Sequence, residues 1–109
     1  MTLERFLEII ENKEYERIEY NDNKNMLADP YIKIYTRNGA FIKFYYGSYS
    51  KGLFKPLIKY CQIIFFVPEK DRGVASFEIE ENDDKFNFYE SLFFKLVEEV
   101  KQNQVRKYF

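Results

Sequence analysis

The sequence contains no histidine and no tryptophan, and it has one cysteine among its 109 residues. Without histidine, the chain has no Ser-His-Asp triad and no Cys-His nucleophile system of its own. The lone Cys61 also leaves a single chain without the ligands of a structural zinc or haem site and without an intrachain disulfide. We therefore expect no catalytic residues, no metal site, no cofactor and a protein that is not an enzyme.

The sequence also lacks a long apolar segment. Its longest uninterrupted apolar run covers residues 63–67, whereas a membrane-spanning helix needs about 20 residues. Near the N-terminus, Glu4, Arg5 and Glu8 lie where a signal peptide would be apolar. We expect a cytoplasmic protein with no membrane partner. The abundant Lys, Asn, Ile, Tyr and Phe residues are those of A/T-rich codons, which suggests a low-GC bacterial, phage or viral genome.

Carboxylates are missing from the middle of the chain. Residues 30–68 contain six Lys and Arg and eleven of the Tyr and Phe residues, but no Asp or Glu. The flanking segments, 1–29 and 69–109, have net charges of −4 and −3. The overall net charge of −1 would argue against a polyanionic partner, but this segregation of charge along the chain reopens the question.

Hydrophobic periodicity predicts an α+β fold with a single domain over residues 1–109. Thr2 is the expected N-cap of the first helix. Residues 14–20 alternate weakly, so a short strand is favoured and a continuation of that helix is the alternative. The predicted elements are a helix over 3–11, strands over 14–20, 31–36, 40–46, 59–67 and 74–80, and a C-terminal helix. Loops are predicted over 21–30 and 47–58, with one helical turn after Gly52, and a hairpin connection is predicted over 69–73.

The C-terminal helix has the clearest sequence pattern. Asn82, Asp83 and Asp84 supply an N-cap and the negative charge favoured at a helix N-terminus. Phe88 and Phe94 fall outside the apolar stripe and are expected to contact other elements or a second subunit, so a homodimer is one expectation. The stripe itself has i, i+3, i+4 spacing and consists of Phe86, Tyr89, Phe93, Leu96, Val97 and Val100. The predicted architecture is an N-terminal helix, an antiparallel sheet of about five strands and a long C-terminal helix packed on one face of the sheet.

The segment over residues 31–46 predicts a β-hairpin. A two-residue Asn38-Gly39 turn would place Lys43 opposite Ile34 and mix charged with apolar side chains. A three-residue loop over 37–39, with Gly39 in the left-handed bulge position, separates them cleanly. Amphipathic alternation selects this second register, in which Thr36 pairs with Ala40, Ile34 with Ile42 and Ile32 with Phe44.

The other face of this hairpin is both basic and aromatic. Lys33 and Lys43 are expected directly opposite each other, and like charges across a strand pair are destabilising. An anionic partner would relieve that repulsion, and exposed rings on a sheet can stack on unpaired bases. The alternative is that the aromatic pairs only stabilise the sheet while the lysines point to water. The face consists of Tyr31, Lys33, Tyr35, Phe41, Lys43 and Tyr45.

Three other motifs carry weaker signals. Residues 47–52 resemble a phosphate-binding loop, but Leu53 and Phe54 follow where that motif needs Lys and Ser or Thr. This loop is therefore an ordinary solvent loop or a simple phosphate contact. Cys61 is expected to be a small core residue. The acidic run over 78–84 lacks EF-hand spacing and fits the end of a strand followed by a helix cap.

Two functions follow from these patterns. The first is a small single-stranded DNA- or RNA-binding protein. The second is a protein-binding module, such as an inhibitor of a host factor encoded by a phage or mobile element, a small secretion chaperone or an immunity protein. The order of helix, three strands, connection, two strands and helix is similar to that of type III secretion chaperones. In both cases the expected binding residues are Tyr31, Lys33, Tyr35, Arg37, Phe41, Lys43, Tyr45, Lys51 and Lys55.

Overall fold

The computed structural model describes residues 1–24, 27–69 and 73–106. These residues form the predicted α+β fold: along the chain, an N-terminal helix is followed by a five-stranded antiparallel sheet and a C-terminal helix. The elements are α1 (Leu3–Glu11), β1 (Tyr15–Asn21), β2 (Tyr31–Thr36), β3 (Phe41–Ser50), β4 (Leu57–Phe66), β5 (Gly73–Glu80) and α2 (Phe86–Arg106).

The strands follow one another across the sheet in chain order, β1-β2-β3-β4-β5. Each strand pairs with its sequence neighbour in antiparallel register. Both helices pack on the same side of the sheet, which we call the helix face, and we call the opposite side the open face. Phe6 of α1 and Phe93 of α2 both contact the ring of Phe44 from β3 edge-on, at centroid distances of 5.4 and 5.3 Å. This aromatic cluster is the centre of the core.

Local signals at the helix ends act as the sequence predicts. Thr2 Oγ1 accepts a hydrogen bond of 3.1 Å from the backbone N–H of Arg5 and so caps α1. Before α2, the carboxylate of Asp83 accepts from the N–H of Lys85 at 2.8 Å, and its backbone carbonyl accepts from Phe86. All six residues of the predicted α2 stripe are buried. Phe88 and Phe94 lie outside it with exposed fractions of 54% and 49%, and the ring of Phe94 packs on Tyr46.

The β2–β3 hairpin has the predicted three-residue loop. Thr36 N–H donates to the carbonyl of Ala40 at 2.9 Å, and Gly39 has a φ of 88°, in the left-handed region that favours glycine. The observed pairs include Ile34 with Ile42 and Lys33 with Lys43. This confirms the register that separates apolar from charged side chains. Residues 14–20 belong mainly to strand β1, which confirms the favoured alternative for this segment. Cys61 is completely buried, as expected for a small core residue.

The prediction of a loop over 47–58 is wrong at both ends. β3 continues to Ser50 and β4 begins at Leu57, because these residues pair with one another across the sheet, for example Tyr49 with Ile58. Backbone pairing here overrides the turn-forming tendency of the Gly and Ser residues. Instead of a helical turn after Gly52, Lys55 N–H donates to the Gly52 carbonyl and closes a tight turn. Part of the predicted connection over 69–73 lies outside the described residues.

The packing of Phe44 predicts a large loss of stability on truncation. Phe44→Ala removes a ring with no solvent exposure from the centre of the cluster, and we expect the free energy of unfolding to fall by about 3–5 kcal/mol. Urea denaturation followed by circular dichroism measures this change. Phe54→Ala is the matched control, because the Phe54 side chain is 97% exposed. A loss for Phe44→Ala no larger than that of the control would contradict this description of the core.

Candidate nucleic-acid interface

The strand registers arrange the open face into rows that run across the sheet. We name these rows by their contents. The first aromatic row contains Arg17, Tyr35, Phe41 and Phe66, and the lysine row beside it contains Glu19, Lys33, Lys43 and Ile64. The second aromatic row contains Tyr31 and Tyr45, followed by Gln62 and Glu78. The carboxylate row contains Gly47, Tyr60 and Glu80.

The lysine row places two positive charges side by side. Lys33 and Lys43 are cross-strand partners, both are half-buried, and neither forms an ion pair within the described part of the chain. Glu19 is the cross-strand partner of Lys33 on β1, but its carboxylate is engaged elsewhere. It binds Arg17 at 3.2 Å and accepts a hydrogen bond from the Tyr35 hydroxyl at 3.1 Å. The two lysines are therefore left facing each other without a counter-ion from the described residues.

The first aromatic row is a continuous surface of rings. Phe41 and Phe66 stack nearly parallel, with centroids 4.6 Å apart and an interplanar angle of 10°. Tyr35 lies 6.5 Å from Phe41 on the other side. The guanidinium carbon of Arg17 lies 4.0 Å from the Tyr35 ring centroid, so this row ends in a cation stacked on an aromatic ring.

The lysine ammonium groups lie over rings of both neighbouring rows. Lys33 Nζ is 4.3 Å from the centroid of Phe41 and 4.8 Å from that of Tyr35. Lys43 Nζ is 5.1 Å from the centroid of Tyr31 and 5.6 Å from that of Phe66. These cation–π contacts partly compensate the missing counter-ions, at about 0.5–1 kcal/mol each for exposed pairs.

The second aromatic row pairs Tyr31 with Tyr45 at a centroid distance of 5.1 Å. Asn21 Nδ2 donates to the Tyr31 hydroxyl at 3.3 Å. Both rings are half-buried, because neighbouring side chains flank them on the sheet. Burial raises the pKa of Tyr45 above the ordinary tyrosine value.

The carboxylate row holds negative charge on the same face. The Tyr60 hydroxyl donates to Asp29, and the Tyr49 hydroxyl donates to Glu80, which also lies 3.7 Å from Lys51 Nζ. The hydrogen bond to Glu80 is the main cause that raises the pKa of Tyr49 to about 12. Burial and the hydrogen bond to Asp29 raise the pKa of Tyr60 above the ordinary tyrosine value.

Gly47 is what allows Asp29 to reach this row. A side chain at position 47 would begin 2.2 Å from the Asp29 carboxyl carbon, so only glycine leaves room for the carboxylate to lie across β3. The carbonyl of Asp29 in turn accepts from Asn23 Nδ2 at 2.7 Å, and the Pro30 carbonyl accepts from the N–H of Tyr46. The β1–β2 connection is thereby tied to the sheet.

The structure brings together six of the nine predicted binding residues: Tyr31, Lys33, Tyr35, Phe41, Lys43 and Tyr45. The other three lie apart. Arg37 is exposed in the β2–β3 turn, whereas Lys51 and Lys55 are exposed in the β3–β4 connection at the opposite end of β3.

Sequence reasoning missed Arg17, Phe66 and the carboxylate row. Phe66 has the opposite parity to the buried Phe65 in β4, a signal that the uniformly apolar run over 63–67 concealed. The signal for the carboxylate row was Gly47 within alternating aromatic residues, since an isolated glycine in a strand often marks a close approach by another group. No local pattern marked Arg17, because its contact depends on the β1–β2 register.

The half-buried, hydrogen-bonded hydroxyl of Tyr60 predicts a loss of stability in alkali. The pKa of Tyr60 is raised in the folded protein, mainly by burial and then by its bond to Asp29, whereas in the unfolded chain a tyrosine ionises near pH 10. The stabilisation is therefore intact below about pH 10 and is lost as the pH rises towards the folded pKa.

Urea denaturation between about pH 8 and pH 11 tests this, since that range brackets the unfolded tyrosine pKa. We expect the free energy of unfolding of the Tyr60→Phe variant to fall less steeply above pH 10 than that of the parent protein. Equal slopes for the two proteins would show that Tyr60 is not protected in this way.

Comparison with known proteins gives no relative: no protein-family model, no curated protein and no solved structure matches this chain. Among the described helices, none is long and apolar enough to cross a membrane.

Proposed function

We propose that the protein is a cytoplasmic, non-enzymatic binder of single-stranded DNA or RNA, and that the open face is its binding surface. The observation that supports this most directly is the lysine row, in which Lys33 and Lys43 face each other without an ion-pair partner among the described residues. A phosphate bound by both ammonium groups would supply the missing counter-ion for this like-charged cross-strand pair. Aromatic rings flank this position on both sides.

Approximate energies favour a nucleic acid over the ligand-free arrangement. A base that stacks on a ring displaces a lysine cation–π contact worth about 0.5–1 kcal/mol. The stacked base contributes about 1–3 kcal/mol, and the displaced ammonium group becomes free to bind phosphate. Binding therefore replaces a weaker contact with two contacts to the ligand.

The ligand must be single-stranded for these rings to act. Aromatic side chains on a sheet can stack only on bases whose faces are free, whereas in a duplex the faces are covered by neighbouring base pairs. The net charge of −1 provides no long-range attraction to a polyanion. Affinity must therefore come from short-range contacts on the open face, and it should fall as salt rises, because each bound phosphate releases counterions.

Charge reversal on the lysine row tests the proposal. Lys33→Glu should abolish binding of a single-stranded oligonucleotide at low salt, measured by quenching of the intrinsic tyrosine fluorescence. The same variant should remain folded, because position 33 lies outside the core and the new carboxylate gains an opposite charge at Lys43 while it meets a like charge at Glu19. Lys95→Glu is the matched control on α2, with the same change of net charge on the other side of the sheet.

Truncation of a ring separates stacking from charge. Tyr35→Ala should weaken binding by about 5- to 100-fold, the range expected for one lost base–aromatic stack. Phe88→Ala removes an exposed ring from the helix side and should leave the affinity unchanged. If no single-stranded DNA or RNA binds the parent protein at low salt, the proposed function is wrong.

A protein partner is the second candidate function, and the β3–β4 connection favours it. Leu53, Phe54 and Leu57 have exposed fractions of 86%, 97% and 66%, and Phe54 adopts a φ of 64° that is unusual for a residue with a bulky side chain. Large apolar side chains grouped in this way are typical of an interaction site. They lie at the far end of β3 from the first aromatic row, so the two candidate surfaces can be tested separately.

Capture experiments with nuclease-treated cell extract distinguish the two functions. If a protein partner binds the connection, Phe54→Ser should abolish stoichiometric capture of that partner, while Lys33→Glu should not affect it. The opposite result, with loss of the partner only for Lys33→Glu, would assign the protein contact to the open face and exclude the exposed connection.

A further inference from the structure

The order of the rows on the open face also indicates the length of ligand that the site binds. This inference rests on the proposed function. We infer that the binding unit is a dinucleotide: two bases joined by one phosphodiester, with the phosphate on the lysine row and one base on each aromatic row.

The lysine row provides one anion site rather than two. Lys33 and Lys43 are direct cross-strand partners, and such residues have Cβ atoms about 4.5–5.5 Å apart. At that separation both ammonium groups can reach oxygens of the same phosphate. Two separate phosphates held so closely would repel each other.

The aromatic rows provide one base site on each side of that phosphate. Successive rows on one face are two residues apart along a strand, which corresponds to about 7 Å. One side offers the stacked rings of Phe41 and Phe66 with Tyr35 beside them, and the other offers Tyr31 and Tyr45. A base, a phosphate and a second base therefore follow each other along the strand direction.

Carboxylates limit the ligand beyond these three positions. Past the second aromatic row, Asp29 and Glu80 hold negative charge on the open face, fixed by their tyrosine donors. Across the sheet, Glu19 ends the lysine row at β1 and Glu78 flanks Gln62 at β5. A further phosphate in any of these directions would meet a carboxylate, whereas the β2–β3 turn and the Ile64–Ser76 end of the lysine row present none among the described residues.

A length series of oligodeoxythymidines without terminal phosphates tests the inference. We expect the dinucleotide TpT to bind at least about 10-fold more tightly than thymidine, since it adds the phosphate and the second stack. A hexamer should gain at most about fivefold over TpT, because its five overlapping dinucleotides set the statistical limit and the carboxylates oppose its flanking phosphates. The slope of log affinity against log salt for the hexamer should be no steeper than about −0.7, the value for one phosphate on a single strand.

The same series identifies the source of the dinucleotide. If the site binds a segment of a longer strand, the hexamer binds at least as tightly as TpT. If it binds a free dinucleotide, the hexamer binds more weakly than TpT, because its flanking phosphates meet the carboxylates. If each added nucleotide increases the affinity and makes the salt dependence steeper, the dinucleotide unit is wrong but the proposed function is not. Failure of every oligonucleotide to bind, the hexamer included, would overturn both.

Neutralising the carboxylates tests the limit directly. The Asp29→Asn/Glu80→Gln double variant keeps an oxygen that can accept from each tyrosine but removes both charges. It should bind the hexamer at least threefold more tightly, with a steeper salt slope, while its affinity for TpT stays the same. Glu11→Gln/Glu98→Gln is the matched control, with the same change of net charge on exposed helix positions. Equal effects of the two double variants on the hexamer would contradict a boundary at the carboxylate row.

Discussion

The pairing of β2 with β3 is the constraint on which the rest of the structure depends. In a strand the side chains alternate between faces, so a shift of one residue would exchange the two faces of the hairpin. The observed register buries Ile34 and Ile42 under the helices and places Lys33 opposite Lys43 on the open face. A single loop conformation, with Gly39 in the left-handed region, therefore determines both the core and the candidate interface.

The high aromatic content of the chain serves two different roles. On the helix face, Phe6, Phe44 and Phe93 meet edge-on inside the core and stabilise the packing of helices on the sheet. On the open face, Phe41 and Phe66 stack parallel and remain half-buried. The sheet separates the two groups, so a substitution on the open face leaves the packing of the core largely unchanged.

Sequence reasoning succeeded where the determining interactions are local. The hairpin register depends on alternation and one glycine, and the α2 stripe depends on helical spacing, so residues such as Lys43 and Phe93 were placed correctly. It failed where a contact joins separate elements. Arg17 reaches Tyr35 only through the pairing of β1 with β2, and Asp29 reaches Tyr60 only by crossing β3. The residue pattern within a single segment does not indicate contacts between separate elements.

Gly47 controls whether the carboxylate of Asp29 can lie on the open face. The Asp29 carboxylate occupies the space where a side chain at position 47 would begin. Any other residue there would displace the carboxylate from Tyr60 and move its charge off the face. In evolutionary terms, a single codon therefore controls whether this negative charge lies on the open face, without any change to the lysines or the rings.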